Sequence, residues 1–195
     1  MSAAVFDIEI LQGATFERRL YFTTQRIVTA TAGSALVGAT SIPIVSGGLG
    51  AIVAGDHVLF SGHSQAKTYI VSTGVADLSA GGTLVLSSPI TEVVSSDSIS
   101  VYTPMDLTGA TFESQVRSTA DSTAIVATLT DTLAGTPTLG YIDISLTAAQ
   151  TAAIPTTGET YKQKSTYYWD GELVISSKKY RSYNGKVTVS PEVTR

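Results

Sequence analysis

Tyr141-Ile142-Asp143-Ile144-Ser145-Leu146 alternates without a break. Ile142, Ile144 and Leu146 fall on one side of an extended chain, and Tyr141, Asp143 and Ser145 on the other. A period of two marks a strand with one dry face and one wet face, as antiparallel sheets have. The period then changes. Residues 147–154 read Thr-Ala-Ala-Gln-Thr-Ala-Ala-Ile and run into Pro155. Thr147 and Gln150 have the spacing of a capping box, and a proline ends a helical turn. The stretch predicts about two turns of helix between strands, a crossover at the rim of a sandwich.

The same alternation recurs outward from there. Phe16, Leu20 and Phe22 share a face, with Arg18 as the exception, against Thr15, Glu17, Arg19 and Tyr21. Ala110, Phe112 and Val116 oppose Thr111, Glu113, Gln115 and Arg117; Val187 and Val189 oppose Lys186, Thr188 and Ser190. Two tight hairpins are expected near the end, turning at Asp170-Gly171 and at Asn184-Gly185, because both dipeptides accept positive φ. The last 35 or so residues then read as a meander.

Between Ile27 and Tyr102 the composition shifts. Lys67 is the one basic residue there, and Gly, Ser, Ala and Val dominate. Short strands are predicted at Ser41–Val45, His57–Ser61, Thr68–Ser72, Thr83–Leu86 and Ser98–Tyr102, separated by glycine-rich turns. Five short strands suffice for a small barrel or sandwich. The predicted class is therefore all-β: an antiparallel β-sandwich of residues 1–26 plus 103–195 with one short helix, and a small β-barrel or sandwich of residues 27–102 inserted into it. Gly13-Ala14-Thr15-Phe16-Glu17 returns as Gly109-Ala110-Thr111-Phe112-Glu113, as if two strands of one sandwich began alike.

The totals narrow the function classes. Hydrophobic residues make up 43% of the 195, enough for a packed core, while charged residues make up 14% against roughly 25% in an average soluble domain. A surface of Ser, Thr, Gly and Ala loses little side-chain entropy on contact, which suits packing against other proteins. A net charge of −4 gives no general affinity for nucleic acid. There is no cysteine for disulfides or thiolate metal sites. No apolar run is long enough to span a bilayer, and Met1–Leu11, with Asp7 and Glu9, does not read as a signal peptide.

Candidate chemistry is sparse. His57 and His63 are six residues apart and could be drawn with Asp56 as a metal site, but Asp56 would face the other way and ordinary surface histidines are the stronger reading. Asp7 and Glu9 could share a strand face about 7 Å apart, yet no cleft is in view, and solvated strand-edge charges are the stronger reading. No nucleophile elbow or P-loop occurs. No catalytic residue, metal or cofactor is expected. One cluster stands out as a possible docking patch for a partner: Lys178, Lys179, Tyr180, Arg181, Tyr183 and Lys186. Interleaved Tyr and Lys/Arg also suits single-stranded nucleic acid, or merely an edge hairpin kept soluble. Trp169 and Tyr167 read as core, with a sugar-binding aromatic patch as the rival.

An ordered set of segments resembles the small Ig-like β-sandwich of phage and prophage tail, baseplate-upper and tail-fibre-attachment proteins. They are Gln12–Phe16, Met105–Phe112 with Gln115–Arg117, Gly140–Thr147 with Ala149–Thr151, and Asn184–Arg195. The insertion departs from the short members of that pattern. The resemblance implies a non-enzymatic virion protein, made in the host cytoplasm and placed in the tail. It would dock on other tail, baseplate or fibre subunits and be homo-oligomeric in the particle, without nucleic acid or membrane insertion. A receptor- or carbohydrate-binding module and a capsid decoration or neck protein are the alternatives, and an envelope hydrolase has the least support.

Overall fold

A computed structural model describes residues 4–63, 67–157 and 162–191. Residues 1–3, and Glu192–Arg195 of the closing motif, lie outside them. The chain opens with β1 (Ala4–Val5), β2 (Ile8–Leu11), β3 (Phe16–Tyr21) and β4 (Thr23–Arg26). There follow β5 (Ser41–Ile44), β6 (His57–Phe60), β7 (Tyr69–Thr73), β8 (Gly82–Leu86) and β9 (Ile99–Pro104). The rest is β10 (Thr111–Arg117), β11 (Ile125–Thr128), β12 (Thr130–Leu133), β13 (Tyr141–Leu146), α1 (Ala148–Ala152), β14 (Ser165–Ile175) and β15 (Lys178–Ser190). The protein is all-β, a sandwich class with a single short α-helix among the described residues.

The chain divides into two compact units. The first comprises residues 1–21, 107–137 and 141–195; the second comprises 22–106 and 138–140. The boundaries differ from those expected at 26/27 and 102/103. The reason is backbone pairing: Thr23–Arg26 bonds in register with Val101–Pro104, so β4 and all of β9 belong to the second unit.

In the first unit, one sheet runs β1-β15-β14-β10-β11, with β2 also on β15; the other runs β12-β13-β3. Their inner faces carry the alternating residues: Ile8 and Ile10, Phe112 and Val116, Trp169 and Leu173, Val187 and Val189 on one side, and Phe16, Leu20, Ile142, Ile144 and Leu146 on the other. The chain passes from the first sheet to the second at buried Leu129, between β11 and β12. Ser114, buried on β10, donates its hydroxyl to Asp131 of β12 at 2.5 Å and its N–H at 3.0 Å, tying one sheet to the other. Burial pushes the Asp131 carboxyl up, against those two hydrogen bonds.

Arg18 finds its explanation here. It lies on the inner face beside Ile144, yet β3 is an edge strand and the side chain is exposed. An inward-pointing charge at an edge discourages pairing with a foreign strand. The helix forms where its cap predicted: Gln150 N–H donates to Thr147 Oγ1 at 3.2 Å and Thr147 N–H to Gln150 Oε1 at 2.8 Å.

Neither expected hairpin turn exists. β14 runs straight through Asp170-Gly171, and β15 straight through Asn184-Gly185. The two strands pair with each other along their whole length, Asp170 against Asn184, with a bulge at Gly171/Glu172. The turn is Ser176-Ser177, both at positive φ (51° and 61°). Packing, not turn geometry, demands the glycines. A Cβ on Gly171 would stand 2.3 Å from the Phe112 ring, and one on Gly185 would stand 2.2 Å from the Phe6 carbonyl oxygen.

The second unit is a closed barrel. Its sheet runs β4-β9-β6-β7-β8-β5. The segment after β4 closes it: Ala32 N–H donates to Asp97 O and Ile99 N–H to Ala30 O on one flank, while Gly33 N–H donates to Pro43 O and Val45 N–H to Thr31 O on the other. Ala30, Ala32, Ile42, Ile44, Val58, Phe60, Tyr69, Leu84 and Val101 fill the core. Closure leaves no open sheet edge along that path.

The hairpin assignment has a direct test. Ser176→Asn with Ser177→Gly supplies residues that hold positive φ without strain, and is expected to stabilise the protein by about 1 kcal/mol in urea unfolding. Gly171→Ala is expected to cost about 1–3 kcal/mol through overpacking. A neutral result for the double substitution would contradict a turn at 176–177.

Candidate functional site

The six residues expected as one docking patch are divided by strand alternation. On β15, Lys179, Arg181 and Lys186 lie opposite Val174, Glu172 and Tyr168, which puts them on the outer face. Tyr180 lies opposite buried Leu173, and Tyr183 opposite Gly171, so both turn inward. The Tyr183 hydroxyl donates to the Tyr21 carbonyl, and burial pushes its pKa up to about 12. Lys178 sits exposed beside the hairpin turn. The tyrosines and cations of this cluster therefore do not interleave on one surface, as a single-stranded nucleic-acid grip by these six residues would require. Two of the cations are paired as well: Lys179 with Glu172, which raises the lysine pKa, and Arg181 with Asp170 at 3.5 Å.

The outer face of that sheet is nonetheless an ordered polar surface. Its strands bring three rows into register. Arg117, Tyr168 and Lys186 form one; Gln115, Asp170 and Asn184 the next; Glu113, Glu172 and Arg181 the third. A hollow of about 340 Å³ lies over the first row and over Asp170 and Asn184 of the second, walled by Val5 and Asp7 on one side and by Thr119 and Ala120 on the other. A second hollow of about 250 Å³ adjoins it and shares Arg117, Ala120, Asp170 and Arg181. The Arg117 guanidinium is fixed by the Ser122 carbonyl at 2.8 Å and by Gln115 Oε1 at 2.6 Å. Reading Asp170-Gly171 as a turn hid these rows. Read as one strand, Tyr168, Asp170 and Glu172 alternate with Trp169, Gly171 and Leu173.

Trp169 is core. It is 2% exposed, donates its indole N–H to the Phe6 carbonyl at 2.7 Å and stacks on Tyr183. Tyr167 is half-buried and its hydroxyl donates to the Pro155 carbonyl. Asp7 and Glu9 are anchors for the N-terminal strands. Asp7 accepts the Lys186 N–H at 2.8 Å, and Glu9 pairs with Lys164 at 2.5 Å, which lowers its pKa. On the second sheet, Arg19 meets Asp143 through two bonds of 2.7 and 2.8 Å and lies 3.8 Å over the Tyr141 ring.

The histidines are not the surface pair expected. His57 is fully buried in the second unit; His63 is half-buried, 5.2 Å from the Phe60 ring and 5.8 Å from the Tyr69 ring by centroids. Asp56, 1% exposed, is occupied by Arg26 at 2.6 Å and by the Val53 N–H at 2.9 Å. Among the described residues no group of three His, Cys, Asp or Glu is placed to hold a metal ion. No helix among the described residues is long and apolar enough to cross a membrane.

Among the described residues seven of the ten exposed large aliphatic side chains lie in the second unit, while Val5, Leu11 and Ile125 lie in the first. Ile27, Leu36 and Leu49 are 105%, 76% and 70% exposed, and Val37, Val45, Val53 and Val93 are also exposed. The Ala35–Val94 bridge puts Leu36 and Val93 side by side. Compared with protein-family models and with curated proteins, the chain matches none.

Burial holds the His57 pKa down, against a backbone hydrogen bond and the Asp56 charge. The sign follows. Above the ordinary histidine pKa of about 6.5 neither state is protonated. Below it the unfolded chain takes a proton that the folded chain refuses, so stability falls with pH until the folded pKa is passed. His57→Gln is expected to flatten the pH dependence of urea unfolding below pH 6.5. Arg26→Met is expected to cost about 3–5 kcal/mol at neutral pH, because it strands the Asp56 carboxylate.

Proposed function

We propose that the chain is a non-enzymatic structural component of a bacteriophage virion, in the tail, baseplate or fibre-attachment apparatus, and that it acts through protein–protein interfaces. One observation carries this reading: the aliphatic surface of the second unit. Seven large aliphatic side chains, from Ile27 to Val93, stand about half exposed or more on a closed barrel that has no need of them for its own core. Leu36 and Val93 lie side by side among them, and contiguous exposed apolar side chains of this kind suit a face covered by another protein. The stretch from Ile27 to Tyr102 has Lys67 as its one basic residue, so such a contact desolvates little cationic surface. Mostly Ser, Thr, Gly and Ala surround the aliphatics, and these residues have little rotamer freedom to lose on docking. The ordered set of segments in the sandwich supports the phage assignment.

Immunogold electron microscopy with antibody to this chain, on particles purified from the producing lysate, is expected to label the tail end. Label on the capsid or neck would move the location. Protein free in the lysate with no particle labelled would overturn the virion reading. Leu36→Asp with Leu49→Asp changes exposed positions, so the isolated fold is expected to hold within about 0.5 kcal/mol per site. The same variant is expected to lose incorporation into particles.

A further inference from the structure

We propose that the hollow on the outer face of the β1-β15-β14-β10-β11 sheet is a binding site for an acidic saccharide. Arg117 and Lys186 would take the sugar carboxylate, Tyr168 the ring, and Asp170 and Asn184 the hydroxyls, with Gln115 at the border of the adjoining hollow. The inference rests on this face alone and does not depend on the virion reading.

Three features fit that chemistry. First, the floor has an aromatic side chain between two cations: Arg117, Tyr168 and Lys186 are in register on three neighbouring strands. A pyranose ring offers a face of C–H groups, which an aromatic ring covers while its own hydroxyl stays wet. Second, the adjacent row is amide, carboxylate, amide: Gln115, Asp170 and Asn184. Sugar hydroxyls each donate and accept. A carboxylate accepts from them, and amides do both. Gln115 Oε1 is held by Arg117, so its N–H groups remain to donate. Third, the charge is unbalanced toward an anion. Arg117, Arg181 and Lys186 line the hollow, against Asp7 and Asp170. Asp170 already faces Arg181, and Asp7 accepts the Lys186 backbone N–H. The Lys186 side chain has no ion pair among the described residues, and Arg117 is held ready by Ser122 and Gln115. A prearranged guanidinium beside an ammonium is a carboxylate receptor.

Size points the same way. A volume of about 340 Å³ lies within the roughly 300–1,000 Å³ of small-ligand sites. The adjoining hollow of about 250 Å³ is lined by Glu113, Asp121, Asp170 and Glu172 against Arg117 and Arg181, so a second ring there would have to be a neutral one. Walls at Val5 and at Thr119–Ala120 bound the hollow on both sides, which suits a short oligosaccharide.

The test is a titration of the full ¹⁵N-labelled chain, followed by amide shifts. The probes are short oligosaccharides of glucuronate, galacturonate, mannuronate and N-acetylneuraminate, their neutral hexose counterparts, and oligoglutamate of matched charge. At least one acidic saccharide is expected to give saturable shifts confined to residues around Arg117, Tyr168, Asp170 and Lys186. Tyr168→Ala and Lys186→Gln are each expected to weaken it by about tenfold. Lys178→Gln, on the same strand outside the hollow, is expected to leave it unchanged. Each variant's own amide spectrum reports whether it is folded, and Lys186→Gln, at an exposed position, keeps the test open if Tyr168→Ala is not. No saturation by any acidic saccharide at about 10 mM would overturn the proposal. So would oligoglutamate or the neutral sugars binding as tightly, or variants without effect.

Discussion

The indole of Trp169 gives its N–H to the Phe6 carbonyl and lies 6.3 Å from the Tyr183 ring, nearly parallel to it. The first unit depends on this contact. Trp169 pairs across the ladder with Gly185, and the missing side chain at Gly185 lets the Phe6 backbone approach. That approach brings β1 and β2 onto β15 in parallel, with Phe6 edge-on to both aromatic rings. An unpaired indole N–H in a core would cost free energy, so the N-terminal segment has a polar reason to dock as well as an apolar one. Tyr183 carries the link onward, since its hydroxyl reaches the Tyr21 carbonyl at the end of β3 in the opposite sheet. One aromatic stack therefore orders the N-terminal strands, the long hairpin and the second layer.

Because the hairpin is one continuous pair of strands, its two faces have separate tasks. The inner face holds Trp169, Gly171, Leu173, Tyr183, Val187 and Val189. Every polar or charged group at the alternate positions is forced outward, and three strands in register turn a scatter of charges into ordered rows. The cations there are partly neutralised by Asp170 and Glu172. A long polyanion would find little uncompensated charge to displace its counterions, whereas a small ligand needs only the local geometry of one hollow.

Strand alternation was legible in the sequence wherever one face is fully buried, as at Tyr141–Leu146 and Thr111–Arg117, and so was the capping box at Thr147 and Gln150. Three things were not. Asp-Gly and Asn-Gly imitate tight turns when their glycines are in fact required by Phe112 and by the Phe6 backbone, contacts more than 50 residues away in sequence. β11 and β12 are short, and neither carries a fully buried residue, so no alternation announces them. The polar rows depend on register between strands, which no single segment encodes. His57 was misread for a related reason. Its strand is buried at three of its four positions, with the fourth half-buried, and a histidine there is covered by neighbours from elsewhere in the barrel.

Edges explain how each unit avoids misplaced pairing. The barrel removes its edges by closure through residues 29–33. The sandwich cannot close, and protects an edge differently: β3 turns Arg18 toward the interior side, where a pairing strand would have to bury it. Such protection costs some stability and is useful only where unwanted pairing is a hazard, as on a chain held near many copies of itself. The barrel, with its edges already satisfied, can expose aliphatic side chains without inviting strand addition. A contact there would be made by side chains alone, without adding a strand to the barrel.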